Sequence, residues 1–187
     1  MSILMAYLNT LKASKAERIQ ALNYLQSHPE YHGEFFDLAV SPKAKRSQVY
    51  AAWVWELFMM EDLKRLEVYW NALLLKIRAL TNPSMRRVHA KVIWYYLKDN
   101  NRFEKLKKHD KKSLISSMLE WVMTENKTAP LSFSIKILAL FFQEFPKLKS
   151  DLKGLLIDSK RTFPKGVYPT IRMVFKDCFP SVLISTY

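Results

Sequence analysis

Residues 82–97 read NPSMRRVHAKVIWYYL, a proline followed by apolar residues at helical spacing, with basic residues between them. The chain repeats this pattern of a proline and an apolar run in residues 41–58, 129–145 and 168–179. The prolines are separated by 41, 47 and 39 residues: Pro42, Pro83, Pro130 and Pro169. Proline is tolerated at the first position of a helix, so each is predicted to begin one. A period of this length is typical of paired-helix solenoids.

The rest of the sequence agrees with a helical fold. No segment alternates apolar and polar residues for long enough to indicate a strand, and the chain has only three glycines. The sequence therefore predicts an all-α fold, a short right-handed α-solenoid (an α–α superhelix) of about four helix pairs. We expect a single domain over residues 1–187. Its expected parts are N-terminal cap helices over 1–40, repeats over 41–178 and a docked apolar tail over 179–187.

Charge is distributed unevenly along the chain. The formal net charge is +13. Residues 1–70 carry eight basic and eight acidic side chains, whereas residues 71–187 carry 22 basic and 9 acidic ones. This asymmetry is typical of a protein with an anionic partner. A solvated surface that keeps the protein soluble explains it equally well.

The cysteine count, the apolar runs and the histidine spacing bear on cellular location, cofactors and metal binding. Cys178 is the one cysteine in the chain, so no disulfide within the chain can form. No apolar run approaches the ~20 residues that span a bilayer. His28 and His32 are four residues apart, but Pro29 lies between them and no cysteine is near. We therefore expect a cytoplasmic protein with no membrane partner, no cofactor and no metal site.

Basic side chains form two neighbouring groups of candidate anion ligands. The first group lies on the helix predicted after Pro83, where arginine offers a planar fork for phosphate: Arg86, Arg87 and Lys91. The second group lies in the polar connection that follows it: Lys105, Lys107, Lys108, Lys111 and Lys112. Both groups are candidates for nucleic-acid binding. The alternative is a solvated face or salt bridges between repeats.

Aromatic side chains are the second candidate feature. Bases could stack on them in a groove, and the candidates are Trp53, Trp55, Trp94, Tyr95 and Tyr96. Core packing is the favoured explanation for most of them, because tryptophan is usually buried. The successive residues Trp94, Tyr95 and Tyr96 span more than half of a helix circumference, so at least one of them is expected to be exposed.

Three motifs resemble those of small bacterial all-helical proteins with HEAT-like repeats. The motifs are SPKAKRSQVYAAWVWELFMMEDLKRLEVYW, NPSMRRVHAKVIWYYL and PLSFSIKILALFFQEFPKLKSDLKGLL. The resemblance covers about Ser41 to Lys176 and includes the Arg86-Arg87 pair and the FPKLKSDL turn. It implies HEAT-like helix pairs. Some members of that group carry the name adenylosuccinate lyase, but this chain has no SSxMPxKxNP-like catalytic loop, so we expect no such activity.

A weaker resemblance is to HEAT-like alkylpurine DNA glycosylases, which combine a basic concave face with Trp, Tyr and an Asp. No specific motif of theirs matches, so no catalytic residue can be assigned. The sequence favours a non-catalytic binding or scaffold protein whose partner is a protein or another anionic macromolecule. The alternatives are a nucleic-acid-binding protein of the glycosylase-like type, and an enzyme of another class. The oligomeric state is left open.

Overall fold

A computed structural model of the chain describes residues 2–176, which form helices joined by short loops and contain no β-strand. The all-α prediction is confirmed for this part of the chain. No helix in this part of the chain combines the length and the hydrophobicity that a membrane span requires. Its eleven α-helices are α1 (Ile3–Thr10), α2 (Lys15–Ser27), α3 (His32–Ala39), α4 (Arg46–Glu61), α5 (Leu66–Lys76), α6 (Pro83–Leu97), α7 (Asn100–Glu104), α8 (Lys108–Thr124), α9 (Thr128–Leu140), α10 (Pro146–Lys153) and α11 (Tyr168–Val174).

Backbone contacts divide the described residues into two compact units, with the boundary between Asp110 and Lys111 near the start of α8. The first unit contains α1 to α7, and the second contains most of α8 together with α9, α10 and α11. The single domain over 1–187, the cap over 1–40 and the repeats over 41–178 stay predictions. The tail over 179–187 and Cys178 lie outside the described residues.

Helix α4 is the centre of the first unit. It packs against α1, α2, α3 and α6, because its apolar side chains point in several directions around the helix. Val54, Trp55 and Met59 are all fully buried, and burying a side chain of this kind contributes about 1.5–3 kcal/mol. Ala51 and Ala52 are also buried, and their small side chains let neighbouring helices come close.

Proline positions predicted most helix starts correctly. Pro83 is the first residue of α6, and the side chain of Asn82 caps the helix by accepting hydrogen bonds from the backbone N–H groups of Ser84 (2.9 Å) and Met85 (3.3 Å). Pro130 and Pro169 lie in the first turns of α9 and α11. These positions suit proline because the first N–H groups of a helix have no partner within it.

The helix predicted to begin at Pro42 begins later, and this prediction is wrong. Residues 41–45 form a turn, and α4 begins at Arg46. Ala44 has a φ angle of 48°, a left-handed conformation that a right-handed helix cannot contain. The left-handed conformation of Ala44 has no signal in the sequence, because residues that adopt it are usually glycine or asparagine.

Helix α9 packs against α11 and against the 3-10 turn Lys165–Val167 in the second unit. The buried face of α9 contains Leu131, Ile135 and Leu138. Arg161 closes the C-terminal end of α8, where its guanidinium donates hydrogen bonds to the carbonyl oxygens of Val122, Met123 and Glu125. The carbonyls of Val122 and Met123 lie in the last turn of α8 and have no N–H partner within the helix, so the arginine supplies the donors they need.

Replacing Asn82 by Ala should lower the free energy of unfolding by about 1 kcal/mol, because the N–H groups of Ser84 and Met85 lose their acceptor. Asn82→Ser should keep most of the stability, since serine is also a good capping residue. Urea unfolding followed by circular dichroism measures both. Equal stability of Asn82→Ala and the unchanged chain would mean that the cap contributes nothing.

Candidate functional site

One face of α6 carries cationic and aromatic side chains toward solvent. The residues lie at spacings of three and four, which place them on one side of a helix. Lys98 follows the last residue of α6 and continues this side. The opposite side of α6 is buried through apolar residues such as Val88, Val92 and Ile93. We name this surface the α6 stripe, and it consists of Arg87, Lys91, Trp94, Tyr95 and Lys98.

Glu56 of α4 binds the first two cations of the α6 stripe. The Arg87 guanidinium donates to both carboxylate oxygens, with Nη1–Oε1 at 3.1 Å and Nη2–Oε2 at 2.7 Å. The Lys91 ammonium donates to Oε1 at 2.8 Å. This geometry is the two-pronged pairing that arginine forms with carboxylates. Glu56, Arg87 and Lys91 together form an ion triad with a net charge of +1.

The Glu56 carboxylate is ionised in this setting. Its side chain is 9% exposed, while those of Arg87 and Lys91 are 30% and 31% exposed. Burial raises the pKa of Glu56, but the hydrogen bonds and charges of Arg87 and Lys91 outweigh burial, so the pKa is lowered overall. Since the carboxylate stays charged, it holds α6 against α4 through a strong, partly buried ion pair.

The structure separates Arg86 from the other two predicted anion ligands of α6. Arg86 is 6% exposed, and its Nε donates to the carbonyl oxygen of Leu80 at 2.7 Å. It therefore lies away from the solvent-facing side that carries Arg87 and Lys91. Adjacent residues of a helix point about 100° apart, so the pair that looked like one cluster in the sequence belongs to two faces.

Three exposed lysines follow α7, where the chain turns into α8. Leu106 lies among them, is buried, and donates its N–H to the carbonyl oxygen of Phe103 at 3.2 Å. The buried leucine fixes the connection, and the side chains on both sides of it reach solvent. None of these lysines forms an ion pair or a side-chain hydrogen bond with another described residue. We name this surface the basic connection, and it consists of Lys105, Lys107 and Lys108.

The last two predicted lysines lie on α8 beyond the boundary between the units. Lys111 is buried, and its ammonium donates to the Glu144 carboxylate at 2.6 Å. Lys112 is exposed. Lys111 therefore has a structural ion pair within the second unit, which a run of lysines in the sequence does not reveal.

Two of the five candidate groove aromatics belong to the core. Trp55 is fully buried and packs against the ring of Tyr69, with the centroids 4.8 Å apart. Tyr96 is buried and stacks on Trp70 at 5.2 Å. Their proposed place in an open groove is corrected accordingly, because bases cannot reach a side chain that solvent does not reach. Core packing is the explanation that the sequence favoured.

The remaining three aromatics reach solvent to different degrees. Trp53 is half-buried, and the Arg18 guanidinium lies 5.7 Å from its ring. Trp94 is half-buried, whereas Tyr95 is 40% exposed. The Lys98 ammonium lies 5.8 Å from the Tyr95 ring, within the range of a cation–π contact. Tyr95 is therefore the exposed residue among 94–96, and a groove at this position stays a prediction.

His89 is a buried neutral histidine rather than part of a basic surface. It is fully buried, and its Nε2 donates to the carbonyl oxygen of Ala39 at 2.8 Å. Burial lowers its pKa to about 4, although the bond to Ala39 and the charge of Glu56 act in the opposite direction. Its Nδ1 has no hydrogen-bond partner among the described residues. Protonating Nδ1 would place an unpaired charge in the core.

Sequence reasoning missed Glu56, and it did not include Lys98 among the candidate anion ligands. Glu56 could have been noticed, because it is the one acidic residue within the apolar run from Val49 to Met60. A charged residue in such a run needs a partner when the helix is buried on most sides.

Among residues 2–176, no group of three or more His, Cys, Asp or Glu side chains could hold a metal ion.

Comparison of the chain with protein-family models, with curated proteins and with solved structures gives no match. We therefore infer the function from the geometry of the α6 stripe and the basic connection.

Glu56→Gln should lower the free energy of unfolding by about 1–3 kcal/mol, because the amide cannot neutralise both Arg87 and Lys91. Glu104→Gln is the matched control, since Glu104 is exposed, and its effect should stay within about 0.5 kcal/mol. Urea unfolding near neutral pH measures both. Equal effects of the two substitutions would show that the ion triad does not stabilise the fold.

The buried His89 should make the protein sensitive to mild acid. A lowered pKa means that the unfolded chain binds the proton more tightly than the folded one. The free energy of unfolding is therefore unaffected by His89 above pH 6.5, and it decreases as the pH falls from 6.5 to about 4. The full loss is on the order of 3 kcal/mol.

The measurement is urea unfolding as a function of pH. His89→Gln keeps an N–H donor for Ala39 and removes the titration, so its stability should decline less between pH 6.5 and 4. His109→Gln is the comparison, because the His109 side chain is 79% exposed and its Nδ1 lies 2.9 Å from the Asp110 carboxylate, and this variant should keep the acid loss that His89 causes. A steep acid loss that persists in His89→Gln would place its origin in other groups.

Proposed function

We propose that this protein is a non-catalytic helical binding module that holds single-stranded nucleic acid through the basic connection and through Trp94, Tyr95 and Lys98 of the α6 stripe. The observation that carries the proposal is the arrangement of Lys105, Lys107 and Lys108 around the buried Leu106. Three ammonium groups are exposed there without a carboxylate partner among the described residues. They follow closely after the exposed Tyr95 and Lys98 in the sequence.

Phosphate is the chemical group that suits the basic connection. Lysine carries a compact charge on a flexible stem, so it binds phosphate without fixing one geometry. Neutralising phosphates releases counterions from the nucleic acid, and this release supplies affinity that does not depend on sequence. Contacts of this kind position a nucleic acid but do not read its bases. We therefore expect broad binding with little sequence preference.

Single strands are favoured over duplexes because aromatic rings accompany the cations. Tyr95 is 40% exposed, and Trp94 is half-buried on the same side of α6. An unpaired base can stack on such a ring, which contributes about 1–3 kcal/mol per base. Bases in a duplex are already stacked on one another, so they gain nothing from Tyr95.

The polar groups near the α6 stripe favour binding over base-excision chemistry. Base excision of the glycosylase-like type needs an aspartate that faces the aromatic side chains. Asp99 instead caps α7 by accepting from the N–H of Asn101 at 2.9 Å, and it pairs with Arg102. The carboxylate of Glu56 is occupied by Arg87 and Lys91. These carboxylates have structural partners, which supports a non-catalytic role.

We also propose a short right-handed solenoid of about four HEAT-like helix pairs as the architecture that carries this surface. Support comes from the first unit, where α4 packs against both α2 and α6. Packing between helices that are two apart in the sequence is what stacked helix pairs produce. The single cysteine supports a reducing compartment such as the cytoplasm.

Charge reversal of the basic connection tests the proposal. In the triple variant Lys105→Glu, Lys107→Glu and Lys108→Glu, affinity for a labelled oligothymidine should fall at least tenfold, measured by fluorescence anisotropy at about 100 mM salt. The slope of log affinity against log salt should decrease by about 0.7 for each lost phosphate contact. Circular dichroism should show unchanged helix content, because all three side chains are exposed.

A control of equal charge change separates this site from general attraction. The triple variant Lys12→Glu, Lys15→Glu and Lys43→Glu alters three exposed lysines elsewhere in the first unit, and it should lose much less affinity. Tyr95→Ala should weaken binding of the single strand more than binding of a duplex. Equal losses of affinity in the two triple variants would mean that the basic excess is only a solvated surface. Stronger binding of an acidic polypeptide than of the oligonucleotide would indicate a protein partner instead.

A further inference from the structure

Helix α5 presents apolar side chains to solvent on its outer face. Val68 is 83% exposed and Leu75 is 82% exposed, the two highest values among the large apolar side chains of residues 2–176. They are seven residues apart, about two helical turns, so they lie on the same side of the helix. Ala72 lies between them and is half-buried. We name this surface the α5 stripe, and it consists of Val68, Ala72 and Leu75.

The exposure of the α5 stripe is not caused by a loosely attached helix. The opposite side of α5 is anchored by Leu66, Trp70 and Leu73, which are all buried. Apolar side chains therefore occupy two sides of α5, and only one of these sides is needed for the core. An apolar stripe that the fold leaves uncovered is a feature of interaction surfaces.

We propose that the α5 stripe joins two copies of this chain in a dimer with two-fold symmetry, with the two α5 helices antiparallel. A two-fold interface needs a surface that is complementary to itself. The stripe has a large apolar side chain at each end and the small Ala72 in the middle, where the exposed Asn71 lies beside it. In the antiparallel arrangement Val68 packs against Leu75 of the second copy at both ends, and Ala72 lies near the axis, where the backbones approach.

The charges beside the α5 stripe are complementary in the same arrangement. Glu67 lies just before the stripe and Arg78 just after it, in the 3-10 turn Ile77–Ala79 that follows α5, and both are exposed. Reversing the second helix brings Glu67 of one copy near Arg78 of the other, as flanking charges do in paired helices. On the other flank, Lys76 is paired with Asp37 at 2.6 Å within the same chain.

The balance of charge also favours a second copy at this place. Two copies with a net charge of +13 each repel one another over most of their surfaces. Residues 61–79 carry four basic and three acidic side chains, so they are nearly neutral. Because α5 is short, the contact is smaller than a standard interface of about 800 Å² per partner. The dimer should therefore be weak and should dissociate on dilution.

Sedimentation velocity over a range of concentrations tests the dimer. The mean mass of the full chain should rise with concentration and rise further with added salt, because salt screens the repulsion between copies. The variant Val68→Glu, Leu75→Glu should remain a monomer throughout. Ile3→Glu changes another strongly exposed apolar side chain, on α1, and should dimerise like the unchanged chain. A monomer at every concentration, or equal dimerisation of all three proteins, would overturn the proposal.

Disulfide trapping tests the antiparallel arrangement, in a Cys178→Ser background that removes the natural thiol. Ala72→Cys should cross-link to itself, and a mixture of Val68→Cys with Leu75→Cys should form the mixed dimer. Val68→Cys alone should not, since two copies of residue 68 would lie about 10 Å apart along the helices, beyond the reach of a disulfide. Cross-linking of Val68→Cys to itself in preference to the mixed dimer contradicts the antiparallel arrangement.

Discussion

The ion triad of Glu56, Arg87 and Lys91 sets the position of the surface on which the functional proposal depends. Taking a carboxylate out of water is costly, and two cations with direct hydrogen bonds offset that cost. The triad joins α4, the central helix of the first unit, to α6. Because two successive turns of α6 are held in this way, the direction of the following turn is fixed as well. That turn carries Trp94 and Tyr95, so their exposure follows from a constraint that lies one and two turns earlier.

The triad also shows why formal charge is a poor guide to where an anion binds. Half of the eight basic residues suggested by the sequence have partners inside the protein: Arg86, Arg87, Lys91 and Lys111. The other half are exposed: Lys105, Lys107, Lys108 and Lys112. The first group helps to hold helices together, and the second group is accessible to phosphate. Only the accessible group can exchange counterions for a ligand, because a paired cation must first lose its carboxylate.

Helices were more predictable from the sequence than side-chain roles. The start of α6 follows from local chemistry, since Asn82 and Pro83 act on the backbone of their own turn. The turn at Ala44 was missed, because an alanine in a left-handed conformation has no local signal. Pairings such as Glu56 with Arg87 join residues that are 31 positions apart. Local patterns therefore predict which face of a helix is apolar, but they do not identify the partner of a buried charge.

The two proposed surfaces lie in different segments of the first unit and respond to salt in opposite ways. Binding at the basic connection weakens with salt because counterions compete for phosphate. Contact through the α5 stripe strengthens with salt, because apolar burial is little affected while repulsion between basic chains is screened. A dimer would carry two basic connections, and a long strand that reaches both would be held more tightly than a short one. The nucleic acid would in turn neutralise part of the charge that keeps two copies apart. Strand length would then control dimerisation, since only a strand long enough to bridge the two connections adds this second attraction.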